Sequence, residues 1–190
     1  MELVFYGATG TVTGSRYLVR DSGRAVLLDC GLFQGVKALR LRNWAPLPVD
    51  PTRLHAVVLT HAHLDHSGWL PRLVREGFRG RIYCSPATRD LCEILLRDAA
   101  KLQEEDAEYA NRKSYSKHKP ALPLYTERDA EAALRRFDTV VFGQDVQLAP
   151  QLSFRLLPAG HLLGAASVLL RGRGAPSPFP GTSAGIRIRS

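Results

Sequence analysis

Three histidines and an aspartate fall within six residues of Thr60-His61-Ala62-His63-Leu64-Asp65-His66-Ser67-Gly68. Neutral imidazole and carboxylate are ligands that zinc accepts, as do related ions such as manganese or iron. His61 and His63 are two apart, so in an extended segment they point the same way. Asp65 and His66 follow where the chain must turn. One short segment can therefore offer one ligand pair to one ion and a second pair to its neighbour. Far downstream, Gly160-His161-Leu162-Leu163-Gly164 supplies a further histidine in a glycine-flanked stretch. Ordinary surface or core histidines are the bland alternative. It is disfavoured because four of the chain's six histidines count toward this one site.

The element that delivers the motif is Ala56-Val57-Val58-Leu59, a short apolar run rich in β-branched residues that reads as a buried strand. A strand end followed by a loop is where an α/β protein usually places its chemistry. Residues 2–6, 15–20 and 25–29 also read as strands. The last ends in Asp29, which can be a ligand, an orienter of a ligating histidine, or a turn residue. Gly7, Gly10 and Gly14 have neither dinucleotide nor P-loop spacing and are read as turn glycines. Short helices are expected at 36–43 and 69–76, with a strand at 82–84. Ser85-Pro86 then gives an N-cap with proline at the first helical position. That helix should run to about residue 110, with Leu91, Ile94, Leu95, Ala99 and Leu102 as its apolar stripe. Thr126 with Asp129 resembles a capping box opening a helix to about 136. Strands are expected at 138–142, 146–148, 152–157 and 166–170.

The 190 residues are enough for one domain with a core, and 45% hydrophobic with 23% charged residues is ordinary for a globular protein. No apolar run approaches the length needed to span a bilayer, and the N-terminus has no basic segment followed by an apolar one. Cys30, Cys84 and Cys92 are isolated and lack metal-site or redox spacing. A reduced, cytoplasmic setting is expected. The net charge of +8 suggests an anionic partner, but Arg171, Arg173, Arg187 and Arg189 supply half of it.

His61-Ala62-His63-Leu64-Asp65-His66 resembles the signature of the metallo-β-lactamase fold. Phe5-Tyr6-Gly7-Ala8-Thr9-Gly10-Thr11-Val12-Thr13-Gly14-Ser15 resembles the opening of its RNA-cleaving β-CASP branch. Leu28-Asp29-Cys30-Gly31 resembles that branch's first motif, and Pro158-Ala159-Gly160-His161 the third. His66-Ser67-Gly68-Trp69-Leu70-Pro71 continues the signature in the nuclease style. The resemblance covers about residues 1–170. It implies an α/β (α+β) fold, the N-terminal part of an αββα sandwich with mixed sheets and outer helices. The implied activity is metal-dependent hydrolysis of phosphodiesters in single-stranded RNA. His61, His63 and His161 would hold one zinc, and Asp65 and His66 a second ion. Asp65 would also orient the attacking water or take its proton, and Asp29 would support the site from behind. A thioester or lactone hydrolase of the same fold is the alternative chemistry.

Residues 111–125 read as a loop in which Arg112, Lys113 and Lys119, interleaved with Tyr115, could meet RNA phosphates at the rim of the metal cleft. A solvated polar loop is the other reading. Residues 171–190 are rich in Pro, Gly, Ser and Arg, read as disordered, and have the look of a shifted reading frame. The resemblance would place a metal-bridging Asp near there, whereas this sequence has no Asp or Glu after Asp145. The 190 residues are therefore expected to hold one ion or none and to cleave poorly, or to be a non-catalytic metal-binding fragment.

Overall fold

The computed structural model describes residues 1–21, 23–172 and 186–189. One sheet has six strands in spatial and chain order: β1 (Glu2–Phe5), β2 (Tyr17–Asp21), β3 (Arg24–Leu28), β4 (Ala56–Val58), β5 (Arg81–Cys84) and β6 (Phe137–Thr139). The first three pair antiparallel, and β3 to β6 pair parallel. The parallel steps need crossovers. These carry α1 (Lys37–Leu41), α2 (Leu64–Ser67), α3 (Leu70–Arg75), α4 (Pro86–Lys113) and α5 (Glu127–Leu134). The second sheet has the order β10-β9-β8-β7, from β7 (Asp145–Ala149), β8 (Leu152–Pro158), β9 (Ala166–Arg171) and β10 (Ile186–Arg189). Here β10 joins β9 in parallel and the other pairs are antiparallel.

The alternation of side chains along β3 and β4 builds two cores. Leu27 and Val57 face the helices, among Trp69, Leu70, Ile82, Cys92 and Leu96. Val26, Leu28, Ala56 and Val58 face the second sheet, among Phe154, Leu156, Val168 and Leu170. Strands buried on both faces read as continuous apolar runs, as Ala56–Leu59 does. Each fully buried Val or Leu here contributes about 1.5–3 kcal/mol relative to exposure. The described residues thus supply three layers, helix, sheet and sheet, of the expected mixed sandwich. None of their helices is long and apolar enough to cross a membrane.

Two helix starts follow the sequence reading. The Ser85 hydroxyl accepts from the Thr88 amide, and Thr126 and Asp129 form the capping box. The expected apolar stripe of α4 holds in part: Leu91 and Leu95 pack against the core. Cys92, Leu96, Ala100, Ala107 and Ala110 are buried, while Ile94 and Leu102 are 65% and 52% exposed. The tail also differs from expectation: Arg171 ends β9 and residues 186–189 form a strand. The remainder of the stretch expected to be disordered, 173–185 and 190, lies outside the described residues.

Candidate metal centre

The site sits at the C-terminal ends of β3 and β4, where the chain leaves the first sheet. Leu59 and Thr60 extend the line of β4: the Leu59 amide donates to the Tyr83 carbonyl at 2.8 Å, and the Thr60 carbonyl accepts from Ala166, the first residue of β9, at 2.8 Å. The two sheets therefore meet at the residue just before His61. His61 is buried, and His63, which precedes α2, is exposed. Asp65 and His66 lie within α2 itself, with Asp65 in its first turn.

His161 arrives from the loop between β8 and β9. That loop is closed by hydrogen bonds from Ala159 N to Ala165 O and from Ala165 N to Leu162 O, both at 2.9 Å. Gly164 takes a positive φ of 81°. Its carbonyl accepts from Ser85 Oγ at 2.6 Å and Thr88 Oγ1 at 3.0 Å, which fixes the loop to the start of α4.

The three histidines converge. His63 Nδ1 lies 3.1 Å from His61 Nε2 and 3.3 Å from His161 Nε2. One ligand atom from each falls within 4.8 Å of the others. Metal–nitrogen bonds of about 2.0–2.1 Å in a tetrahedron hold two nitrogens about 3.3–3.4 Å apart, so the spacing suits a zinc-sized ion. Burial, followed by the neighbouring His66, pushes the pKa of His61 down to about 4. Its imidazole is therefore neutral and can ligate at ordinary pH. The donors present fit a metal ion.

Asp29 orders His61, through Thr60, and His66 directly. It is buried at a φ of 55°, in the left-handed region that Asp tolerates better than most residues. One carboxylate oxygen accepts from the Thr60 amide at 2.8 Å; the other accepts from Ser15 Oγ at 3.1 Å and faces His66 Nδ1 at 2.7 Å. The Thr60 hydroxyl lies within 3.0 Å of both oxygens and 2.9 Å from His61 Nδ1. Donating its proton to Asp29, that hydroxyl can accept only from His61 Nδ1–H, which leaves His61 Nε2 as the free lone pair. His66 donates through Nδ1 likewise, so its Nε2 is free and lies 3.6 Å from an Asp65 oxygen. Burial pulls the pKa of His66 down, but the hydrogen bond and charge of Asp29 outweigh it, and the net direction is up.

The turn after β3 completes the frame. The Asp65 carbonyl accepts from Ser15 N at 2.8 Å, and the His66 carbonyl from Cys30 N at 2.7 Å. A Cβ on Gly31 would run into the Asp65 carbonyl, so only glycine allows this approach. Arg16, buried and stacked 4.4 Å over the Trp69 ring, donates to the Gly31 carbonyl at 2.9 Å. Sequence reasoning found the four histidines, Asp65 and Asp29. It missed Thr60, Ser15 and Gly31, whose residue types carry no metal chemistry of their own.

Arg112 and Lys113 lie in the last turn of α4. With about 1.5 Å of rise per residue, Arg112 stands about 36 Å along the helix from Thr88, which touches the His161 loop. They therefore do not sit at the rim of the histidine cluster, and the expected position of this basic stretch is corrected. Lys119 follows six residues after Lys113 in the exposed loop. Arg112 stacks 5.4 Å from the Tyr109 ring, and Tyr109 meets Tyr115 at 6.1 Å.

Residues 9–174 match the model of the metallo-beta-lactamase superfamily. The chain is 41% identical over 181 residues to Ribonuclease TTHA0252 of Thermus thermophilus, covering 95% of this chain and 37% of that protein. It is 32% identical over 170 residues to Transcription termination factor FttA of Cenarchaeum symbiosum, covering 87% of this chain and 24% of that one. The chain thus spans well under half the length of these relatives.

Proposed function

Starting from a chain that belongs to the metallo-β-lactamase superfamily, we propose that it carries the metal half of a β-CASP-type ribonuclease site. The reaction would be hydrolysis of single-stranded RNA in the cytoplasm. The observation that carries this reading is the convergence of His61, His63 and His161, with His61 held through Thr60 by the Asp29 carboxylate. The similarity to Ribonuclease TTHA0252 supports RNA as the substrate class. His61 Nε2, His63 Nδ1 and His161 Nε2 would hold a zinc ion. When bound, the metal supplies Lewis-acid activation of water and offsets charge on the phosphate.

The chain's own groups account for the rest. Asp65, its partly open carboxylate 3.6 Å from His66 Nε2, would take a proton from the attacking water. Water adds to phosphorus, one P–O ester bond breaks, and a phosphate monoester and an alcohol leave. Asp29, through Thr60 and directly to His66, holds the tautomers that keep ligand lone pairs forward. Arg112, Lys113 and Lys119 would meet RNA well beyond the scissile bond.

A second position would have Asp65 and His66 as its ligands within these residues, one fewer than the usual three for a catalytic zinc. The 190-residue chain is therefore read as holding one ion tightly and cleaving weakly. The test is metal content and chelator-sensitive cleavage of single-stranded RNA by the purified chain, beside a thioester panel. One ion per chain with weak RNA turnover is expected. Thioester turnover without RNA cleavage would replace the reading.

A further inference from the structure

We propose a second RNA contact at the opposite end of the parallel strands of the first sheet, where Arg79, Arg81, Arg135 and Arg136 form a phosphate-backbone exosite. The inference rests on the RNA reading above. In the register of β5 and β6, Ile82 lies beside Phe137 and the Ile82 amide donates to the Arg136 carbonyl at 3.0 Å. Arg81 and Arg136 are therefore neighbours on one face, about 4.8 Å apart at the backbone. Arg135 is the C-cap of α5, and Arg79 precedes Arg81 by two residues.

Several arginines elsewhere in the chain have carboxylate partners. Arg72 meets Glu76 at 2.7 Å, Arg97 meets Glu131 at 2.7 Å, and Arg75 meets Asp129 at 3.4 Å. Among the described residues, none of the four clustered guanidiniums has a carboxylate at ion-pair distance. The acid nearest in register, Asp138, is aligned with Tyr83 rather than Arg81. Part of the cluster has internal work: Arg79 donates to the Val74 and Phe78 carbonyls, and Arg136 to the Arg79 carbonyl at 2.6 Å. Arg81 and Arg135 are exposed. Arg136 Nε is buried without a hydrogen-bond partner. Burial and the like charges of Arg79, Arg81 and Arg135 all disfavour its charged form.

A group of like charges with spare planar donor forks is what a row of phosphates satisfies. The cluster does not overlap the metal site. Arg81 is paired with Ala56, five residues before His61, so about 16 Å of strand separates the two ends. A strand of RNA entering the histidine site would reach the exosite only if it is long enough to pass around the sheet edge.

The test uses the full chain and a long single-stranded oligonucleotide, with affinity measured across a salt series for wild type and R81Q/R135Q. Each phosphate contact on single strands contributes about 0.7 to the slope of log K against log salt, so the double variant should lose about 1.4. Metal content should be unchanged, and a short oligonucleotide should show no difference. An unchanged slope with RNA still bound by both proteins overturns the exosite and leaves the RNA reading standing. Wild type that binds no RNA overturns both. Loss of polyglutamate binding with RNA binding intact reassigns the cluster to an acidic protein partner and overturns the exosite.

Discussion

Replacing Asp29 by Asn keeps its volume and changes one oxygen to an amide, which isolates the control of histidine tautomers. In Asp29→Asn the amide oxygen can still accept from the Thr60 N–H, a bond of 2.8 Å in the wild type. The amide nitrogen then takes the place of the oxygen 2.7 Å from His66 Nδ1. Two donors cannot face each other there, so His66 must move its proton to Nε2 and accept through Nδ1. A charge-assisted bond worth about 1.5–3 kcal/mol becomes a neutral one worth about 0.5–1.5, a net loss near 1 kcal/mol. Asp29→Ala is harsher. It strands the Thr60 N–H, the Ser15 hydroxyl and the His66 Nδ1–H. At about 1–3 kcal/mol for each buried unsatisfied group, roughly 3–9 kcal/mol is lost, a large share of a typical domain's stability. Urea denaturation of the metal-free protein reads the stability, and nitrogen NMR of the imidazoles reads the tautomer. Metal affinity, by competition with a chelator, should fall about 10–100-fold in Asp29→Asn. If His66 keeps its proton on Nδ1 in the Asn variant, or if Asp29→Ala costs less than about 1 kcal/mol, then the network does not do what its geometry indicates.

Gly31→Ala drives a methyl into the Asp65 carbonyl, whose position is held by Ser15 N, and should cost at least about 2 kcal/mol in urea denaturation. His161→Ala removes an exposed ligand, so tight metal binding should vanish by mass spectrometry while metal-free stability moves by no more than about 0.5 kcal/mol. Burial holds the pKa of His61 near 4 in the fold, against about 6.5 unfolded, so its contribution to metal-free stability is present above about pH 6.5 and is lost as pH falls toward 4. His66, shifted upward, acts in the opposite sense, contributing below about 6.5 and fading as pH rises through its folded value. The stability difference between wild type and His61→Gln should therefore shrink on acidification, and a difference that grows instead would reverse this sign. Alanine at Arg112, Lys113 and Lys119 together should lower the salt slope of RNA binding by about 0.7 for each true phosphate contact, and an unchanged slope returns them to solvent.

The histidine cluster was legible because ligand chemistry restricts residue types so strongly, and His61 and His63 do converge with His161. The strands that carry it were legible because β3 and β4 are buried on both faces and leave unbroken apolar runs. Thr60 was invisible, since a hydroxyl gains its role only when Asp29 folds back across 31 positions. The face of α4 was read only in part: Leu91 and Leu95 pack against the core, but Ala100 and Ala107 are buried while the larger Ile94 is left outside. The strand at 186–189 escaped composition altogether, because its placement rests on backbone pairing with β9. The basic end of α4 was misplaced by ignoring length: 28 residues of helix carry it away from the site that the first turn touches.

The clamp on the Gly164 carbonyl has a consequence for how the chain assembles. Two of the triad's histidines come from one short segment, but His161 is 98 positions from His63 and is positioned only once its loop has docked on Ser85 and Thr88. A half-folded chain can therefore present a bidentate site at most. An ion that selects the finished triad stabilises it by mass action, more so as its concentration exceeds the dissociation constant. Metal-free chains should therefore have a second sheet that opens to proteases more readily than that of metal-loaded ones.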